Sequence, residues 1–204
     1  MTEKELMLSG QLYMANDKEL YESRKRAKSL TMLFNSAAEE QEEYRLALLK
    51  ELFKGIGKNI WIEPVFRCDY GWNIVIGDNF YANYDCTIID VCDVIIGNNV
   101  FFAPRVSLFT ASHPIDYAVR NTCLEYGKPI TICDNVWVGG CTVVNPGVTI
   151  GEGTIIGSGS VVTKDIPPGV IAAGNPCRII REITQSDSDR WNEQVQIYKQ
   201  KRDC

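Results

Sequence analysis

Histidine is almost missing from this chain: among 204 residues only His113 carries an imidazole. A metal centre that draws several histidines from one chain is therefore excluded. Positive charge is scarce as well, with 21 Lys and Arg against 26 Asp and Glu and a formal net charge of −5. The one basic run, Arg24-Lys25-Arg26 with Lys28, stands among acidic neighbours and reads as a solvated helix face. No basic stripe is dense enough for a nucleic-acid partner. The eight cysteines form no CxxC pair, which leaves a zinc or redox motif without support. Several sit in apolar, strand-like segments, where cysteine behaves as a small buried hydrophobe. No run is apolar and long enough to cross a bilayer, and Met1-Thr2-Glu3-Lys4-Glu5 opens no secretory signal. The expectation is a reduced, cytoplasmic protein without a membrane partner.

What is present is 45% hydrophobic and 23% charged, which suits one main domain with a small appendage. Residues 1–58 read as a helical cap. Leu6, Met7, Leu8, Leu12 and Tyr13 open it, and Leu46, Leu48, Leu49, Leu52 and Phe53 recur at helical spacing among charges. Asn35-Ser36 reads as a break between helices, with either residue a candidate N-cap. Gly55 and Gly57 end the helical region.

From residue 59 a period of six takes over. Ile132, Val138, Val144, Ile150, Ile156 and Val162 follow in strict register, all branched aliphatics. Four places after each stand Val136, Thr142, Val148, Thr154, Ser160 and Ile166, all small or β-branched. The same frame fits Ile96, Phe102 and Leu108, with Val100, Val106 and Ser112 four later, and Ile76-Gly77 begins another stretch. Six matches neither the period of a helix nor the alternation of a strand. It calls for a short strand and a corner in each unit, three units to a triangular coil, and coils stacked about 4.8 Å apart. Glycine after the aliphatic, as at Gly97, Gly139, Gly151 and Gly157, is expected to relieve the corner backbone. The alternative, a turn-rich β-sandwich, does not explain six matches in register. The periodicity leaves handedness open, although parallel crossovers are nearly always right-handed. The register breaks at Ser112-His113-Pro114 and resumes near Ile130, so residues 114–129 form an inserted loop, a common seat of function on rigid scaffolds.

The segment from Asn135 to Arg181, NVWVGGCTVVNPGVTIGEGTIIGSGSVVTKDIPPGVIAAGNPCRIIR, resembles the signature of the hexapeptide-repeat acyltransferases. The cap stretch MLSGQLYMANDKEL, with FYANYDCTIIDV and FTASHPID, narrows the resemblance to the maltose and galactoside O-acetyltransferases over roughly residues 3–183. It implies a mainly β fold, a left-handed parallel β-helix over residues 59–183 under the helical cap. It further implies a homotrimer with active sites between subunits, acetyl-CoA as the acetyl donor, no metal, and a sugar hydroxyl of maltose, glucose or galactoside type as acceptor. The C-terminal tail, residues 184–204, lies outside it.

His113 falls at the family's general-base position. An alcohol is a weak nucleophile, and an imidazole with a reference pKa of about 6.5 suits the removal of its proton; otherwise His113 is a hydrogen-bonded loop residue. The acceptor oxygen then attacks the thioester directly, so no cysteine is needed as an acyl carrier. The tetrahedral oxyanion needs a donor, and Asn83 matches the family's stabilising position; otherwise it is a corner asparagine. Glu125, in the inserted loop, is the candidate that fixes the imidazole tautomer, and otherwise a solvated carboxylate. For the acceptor the resemblance points to Asp69, where galactoside enzymes can carry Ser, and to Tyr81. Asp90 stands one place before the family's contacting acid, where this chain has Val91, and Asp17 stands two places from another. Each acid is otherwise a plain surface or turn residue. For CoA it carries over Gly140, often Ser in the family, with Ser158, Thr163 and the cations Lys164, Arg178 and Arg181 for the phosphates; Trp137 covers the thioester end or a subunit contact. A γ-class carbonic anhydrase shares the β-helix but needs three zinc-binding histidines, which one per chain cannot supply. Antibiotic or serine O-acetyltransfer shares fold and base without this cap, and a silent β-helix scaffold has no use for the His113, Asn83 and cation set.

Overall fold

The computed structural model describes residues 1–202; Asp203 and Cys204 lie outside the described residues. Thr2 and Glu5 cap α1 (Glu3–Leu8) reciprocally, each side chain accepting the other's backbone N–H. A short strand β1 (Tyr13–Met14) interrupts the expected helical cap, followed by α2 (Lys18–Ser36) and α3 (Glu42–Leu52). The break between the two helices lies at residues 37–41, and Asn35 caps neither. It sits in the last turn of α2 and reaches Phe66, accepting from its N–H at 2.8 Å and donating to its carbonyl at 2.9 Å. That double bond pair ties the cap to the first coil.

The coils begin at Gly55, inside the expected cap. The first is β2 (Gly55–Ile56), β3 (Trp61–Ile62) and β4 (Arg67–Cys68); the second is β5 (Ile74–Ile76), β6 (Tyr81–Ala82) and β7 (Thr87–Ile89). The third is β8 (Val94–Ile96), β9 (Phe101–Phe102) and β10 (Ser107–Phe109). An excursion follows: β11 (Ala111–Ser112), α4 (Tyr117–Arg120) and β12 (Leu124–Gly127). Stacking resumes with β13 (Ile130–Ile132), β14 (Trp137–Val138) and β15 (Val143–Val144), then β16 (Thr149–Ile150), β17 (Ile155–Ile156) and β18 (Val161–Val162). Ile166 bridges Ile150, and β19 (Val170–Ala173) closes the stack with β20 (Arg178–Glu182) folded back antiparallel on it. Strands of successive coils pair in parallel and form three flat faces: β2-β5-β8-β13-β16, β3-β6-β9-β14-β17-β19 and β4-β7-β10-β15-β18. This is the left-handed parallel β-helix under a mostly helical cap that the resemblance implies.

The six aliphatics from Ile132 to Val162 are all fully buried, as are Val136, Thr142, Thr154 and Ser160. Ser112 fits the same frame in sequence but belongs to β11, outside the coil. The glycines behave differently from expectation. Gly77, Gly97, Gly139, Gly151 and Gly157 do not adopt the left-handed conformation; a Cβ on each would collide with the next coil, at 2.2 Å from Asp134 Oδ1 for Gly97 and 2.3 Å from the Pro168 nitrogen for Gly151. They are needed for close coil stacking. The left-handed residues stand two places later, as Asn79, Asn99, Cys141, Gly153 and Gly159. Asparagine tolerates that conformation, and here it adds bonds: Asn59, Asn79, Asn99 and Asn135 form a ladder of side-chain amides at 2.8–3.1 Å. The tail becomes α5 (Gln185–Arg202), none of whose residues is buried.

Candidate active site

Two of the triangle's three corners hold the residues singled out by sequence. The second corner, between the second and third faces, carries Asn83, Gly140 and Ser158. Gly140 and Ser158 share a column with Tyr84 and Pro104, joined by backbone bonds from Arg105 to Tyr84, Cys141 to Pro104 and Gly159 to Gly140, and Asn83 stands one place before that column. A side chain at Gly140 would place its Cβ 3.1 Å from the Pro104 carbonyl, so coil spacing itself favours glycine there. Asn83 Oδ1 accepts from the Tyr84 N–H at 2.8 Å, which leaves its amide NH2 free to donate. Trp137 and Tyr81 stand on the outer side of the second face; Trp137 is 51% exposed, and Tyr81 lies against Phe101 with ring centroids 6.4 Å apart.

The third corner leads from the third face back to the first. It carries Asp69, Asp90, the excursion and Thr163-Lys164. The excursion is a hairpin, β11 against β12, to which β1 of the cap adds a third strand. That sheet brings Glu125 to His113: Nε2 lies 3.8 Å from Oε2, beyond hydrogen-bond reach. The other oxygen of Glu125 accepts from the Tyr13 hydroxyl at 2.5 Å. His113 is half exposed and Glu125 largely buried. A carboxylate beside one ring nitrogen favours the proton there and leaves a lone pair on the other.

Behind this pair lies a buried polar cluster. Arg24 donates to the Tyr70 hydroxyl and to the Ala15 carbonyl, both at 2.6 Å. Asp90 is fully buried; its Oδ1 accepts from the N–H groups of Asp69 and Tyr70 at 3.0 and 2.9 Å and folds the loop that presents Asp69. Burial raises the Asp69 carboxyl above its usual range, Arg24 and Lys28 oppose that, and Glu125 adds to it. Burial pushes Asp90 up to about 7. Asp69 also lines a groove of about 570 Å³ beneath α2, with Lys28, Asn35, Arg67, Thr87 and Ile89.

Other expected residues have other engagements. Asp17 caps α2, its Oδ1 accepting from the N–H groups of Glu19 and Leu20. Arg181 forms a two-toothed pair with Asp187 at 2.7 and 2.8 Å, and Arg178 donates to the Cys177 carbonyl. Ser158, Thr163 and Lys164 are exposed. One chain thus unites His113, Glu125, Asp69 and Asp90 but leaves Asn83, Tyr81, Gly140, Ser158 and Trp137 across the third face. Tyr13, Arg24 and Tyr70 were not among the expected site residues. Tyr13 stands in an apolar run and reads there as core. Burial raises the thiols of Cys68, Cys86, Cys92 and Cys177, which keeps them protonated. Among the described residues no group of three His, Cys, Asp or Glu is placed to hold a metal.

A capped parallel β-helix with a lone histidine on a hairpin excursion defines a hexapeptide-repeat transferase, and the model of that repeat matches residues 129–164. Residues 6–57 match the maltose acetyltransferase hexapeptide capping motif. The galactoside O-acetyltransferase of Escherichia coli K12 is 48% identical over 197 residues, covering 97% of this chain and 96% of its own. A crystal structure of a maltose O-acetyltransferase from Clostridium difficile 630 is 54% identical, with a TM-score of 0.89 over 90% of this chain and 98% of its own. A galactoside acetyltransferase in complex with coenzyme A is 47% identical, with a TM-score of 0.89 over 92% and 94%. The chain belongs to the maltose and galactoside O-acetyltransferase family.

Proposed function

We propose that the protein transfers an acetyl group from acetyl-CoA to a hydroxyl of a sugar of maltose, glucose or galactoside type, with His113 as general base. The observation that carries this is the pairing of the chain's one imidazole with Glu125 on a hairpin held by the cap. The neutral imidazole removes the proton of the acceptor hydroxyl, whose oxygen attacks the thioester carbonyl directly. The tetrahedral oxyanion collapses and releases CoA. No covalent acyl-enzyme intervenes.

Asn83 supplies the oxyanion donor. It stands across the third face from His113, so the complete site unites the third corner of one subunit with the second corner of the next. A homotrimer provides that juxtaposition three times. The outer column of the second face supports it: Trp61, Tyr81, Phe101, Trp137, Ile155 and Ile171 give an apolar stripe, with Phe101 and Trp137 half exposed in the single chain. Asp69 holds acceptor hydroxyls, since a carboxylate accepts hydrogen bonds in pairs, and the groove beneath α2 gives the sugar room. Tyr81 completes the acceptor site from the neighbouring subunit, and Asp90 and Asp17 serve it by shaping the loop and helix at its edge. Gly140, Ser158, Thr163, Lys164 and Arg178 line the path of CoA, with Trp137 over the thioester end, and Arg181 joins them once Asp187 releases it. The reaction runs in the cytoplasm, where acetyl-CoA is at hand.

The test is CoA thiol release by wild type and His113→Ala with acetyl-CoA and a panel of glucose, maltose and galactosides. His113→Ala is expected to lower kcat by about 10²–10⁴-fold and leave CoA binding intact. Equal release by both proteins removes His113 from the mechanism. No release by wild type on any sugar, with release on an antibiotic or serine, moves the acceptor to that class.

A further inference from the structure

The cap touches the hairpin at one point of chemical consequence. β1 pairs with β12 in antiparallel register with Tyr13 directly opposite Glu125. Tyr13 is fully buried, and its hydroxyl donates to Glu125 Oε1 at 2.5 Å while Oε2 faces His113. The strand is held by two further bonds, at Met14 and at the residue just after it. The Met14 N–H donates to Glu3 Oε2 at 2.5 Å, and Arg24 holds the Ala15 carbonyl at 2.6 Å. The two carboxylate oxygens are therefore divided, one to the cap and one to the imidazole.

We infer that Tyr13 is a positioning residue for acetyl transfer, which orients Glu125 and sets how much of its negative charge the His113 imidazole feels. The inference rests on the reading of His113 as the base. A phenol donor shares the carboxylate charge and fixes the torsion of the side chain. Without it, Glu125 turns on its own stem and presents its full charge to the ring. An unshared anion beside imidazole favours the protonated ring, which cannot act as a base. The charged and titratable groups around this pair are Tyr13 on β1, Arg24 on α2, Asp69 and Tyr70 at the third corner, and His113 on the hairpin. Arg24 is already committed to Tyr70 and Ala15, so Tyr13 is the donor that Glu125 depends on.

Tyr13→Phe keeps the ring among Met7, Leu20, Tyr70, Val91 and Cys92 and removes only the hydroxyl. It is expected to lower kcat about 5–20-fold, leave the KM for acetyl-CoA within about twofold, and move the acid limb of kcat/KM to higher pH by several tenths to about one unit. Glu125→Gln removes the charge and is expected to move that limb to lower pH. On the Glu125→Gln background, Tyr13→Phe adds little. A wild-type pH profile for Tyr13→Phe, beside an inactive His113→Ala, overturns the inference and leaves the base reading standing. Additive losses with Glu125→Gln, or an unmoved limb in Glu125→Gln, overturn it as well. Full activity in His113→Ala removes the base and this inference together.

Discussion

Asp90 is the least settled group in the fold, and its replacement by asparagine has a pH-dependent consequence. Its carboxyl is fully buried, Oδ1 accepts two backbone N–H groups, and Oδ2 is without a partner among the described residues. Burial pushes its pKa up to about 7; neighbouring Asp69 adds to the rise, and the backbone N–H groups that face the carboxylate oppose it. In the unfolded chain the same group titrates near about 4. Between those values the folded chain holds a proton that the unfolded chain has released. The stability from this group is therefore complete below about pH 4 and is lost as pH rises through about 7. Three pKa units at about 1.4 kcal/mol each set the loss at about 4 kcal/mol. Asparagine has the shape of the neutral acid, keeps the Oδ1 acceptor and cannot ionise. Asp90→Asn is expected to match wild type near pH 4.5 and to exceed it by about 3–4 kcal/mol at pH 8. For a chain of this size that is roughly 6–16 °C in Tm. The assay is thermal unfolding of both proteins at fixed protomer concentration across pH 4.5–8.5. A stability difference that is flat with pH, or that grows towards acid, refutes the reasoning.

Two substitutions test the scaffold. Gly97→Ala is expected to destabilise by about 2–4 kcal/mol, since its Cβ meets Asp134 Oδ1 at 2.2 Å and the Asp134 nitrogen at 2.8 Å, while Gly153→Ala, with open space but φ +66°, costs only about 1–2 kcal/mol; denaturant midpoints of the two rank them. Asn35→Ala leaves the Phe66 N–H and carbonyl without their partner and is expected to cost about 2–4 kcal/mol by the same measurement, with faster amide exchange at Phe66.

The coil was legible because its core is repetitive: one branched aliphatic per face per turn, each fully buried from Ile132 to Val162. The role of the neighbouring glycines was not, because the clash that demands them comes from a residue one coil away, at a separation of 16 to 37 places. Asp134 against Gly97 is such a pair. The expected helical cap missed β1 for a related reason. A two-residue strand has no period, and Tyr13-Met14 becomes a strand only because β12 lies beside it, more than a hundred residues later. Glu125 stood out as an acid in the inserted loop, a candidate partner for the imidazole or equally a solvated carboxylate; the structure sets its Oε2 3.8 Å from His113 Nε2. Asp17 and Arg181 show the limit of carrying a motif position by position. Each is an acid or a cation of the expected type, yet a helix N-terminus claims one and Asp187 the other.

The placement of the chemistry follows from the geometry of the corners. At the first corner the asparagine ladder links coil to coil, and at the second the backbone ladder through Tyr84, Pro104 and Gly140 does the same. An extra residue at either would break a ladder. The third corner is free to vary, as register on the first face shows. Val75 pairs with Ile95, Ile95 with Thr131 and Thr131 with Thr149, steps of 20, 36 and 18 residues. The surplus over 18 all lies between the third face and the next first face. That surplus builds the Asp69–Asn73 loop, the Asp90–Asp93 loop and the hairpin bearing His113 and Glu125. Polar groups that must be buried and precisely held accumulate where the repeat can lengthen without disturbing its stack, and the cap strand β1 then supplies the rigidity that the stack does not.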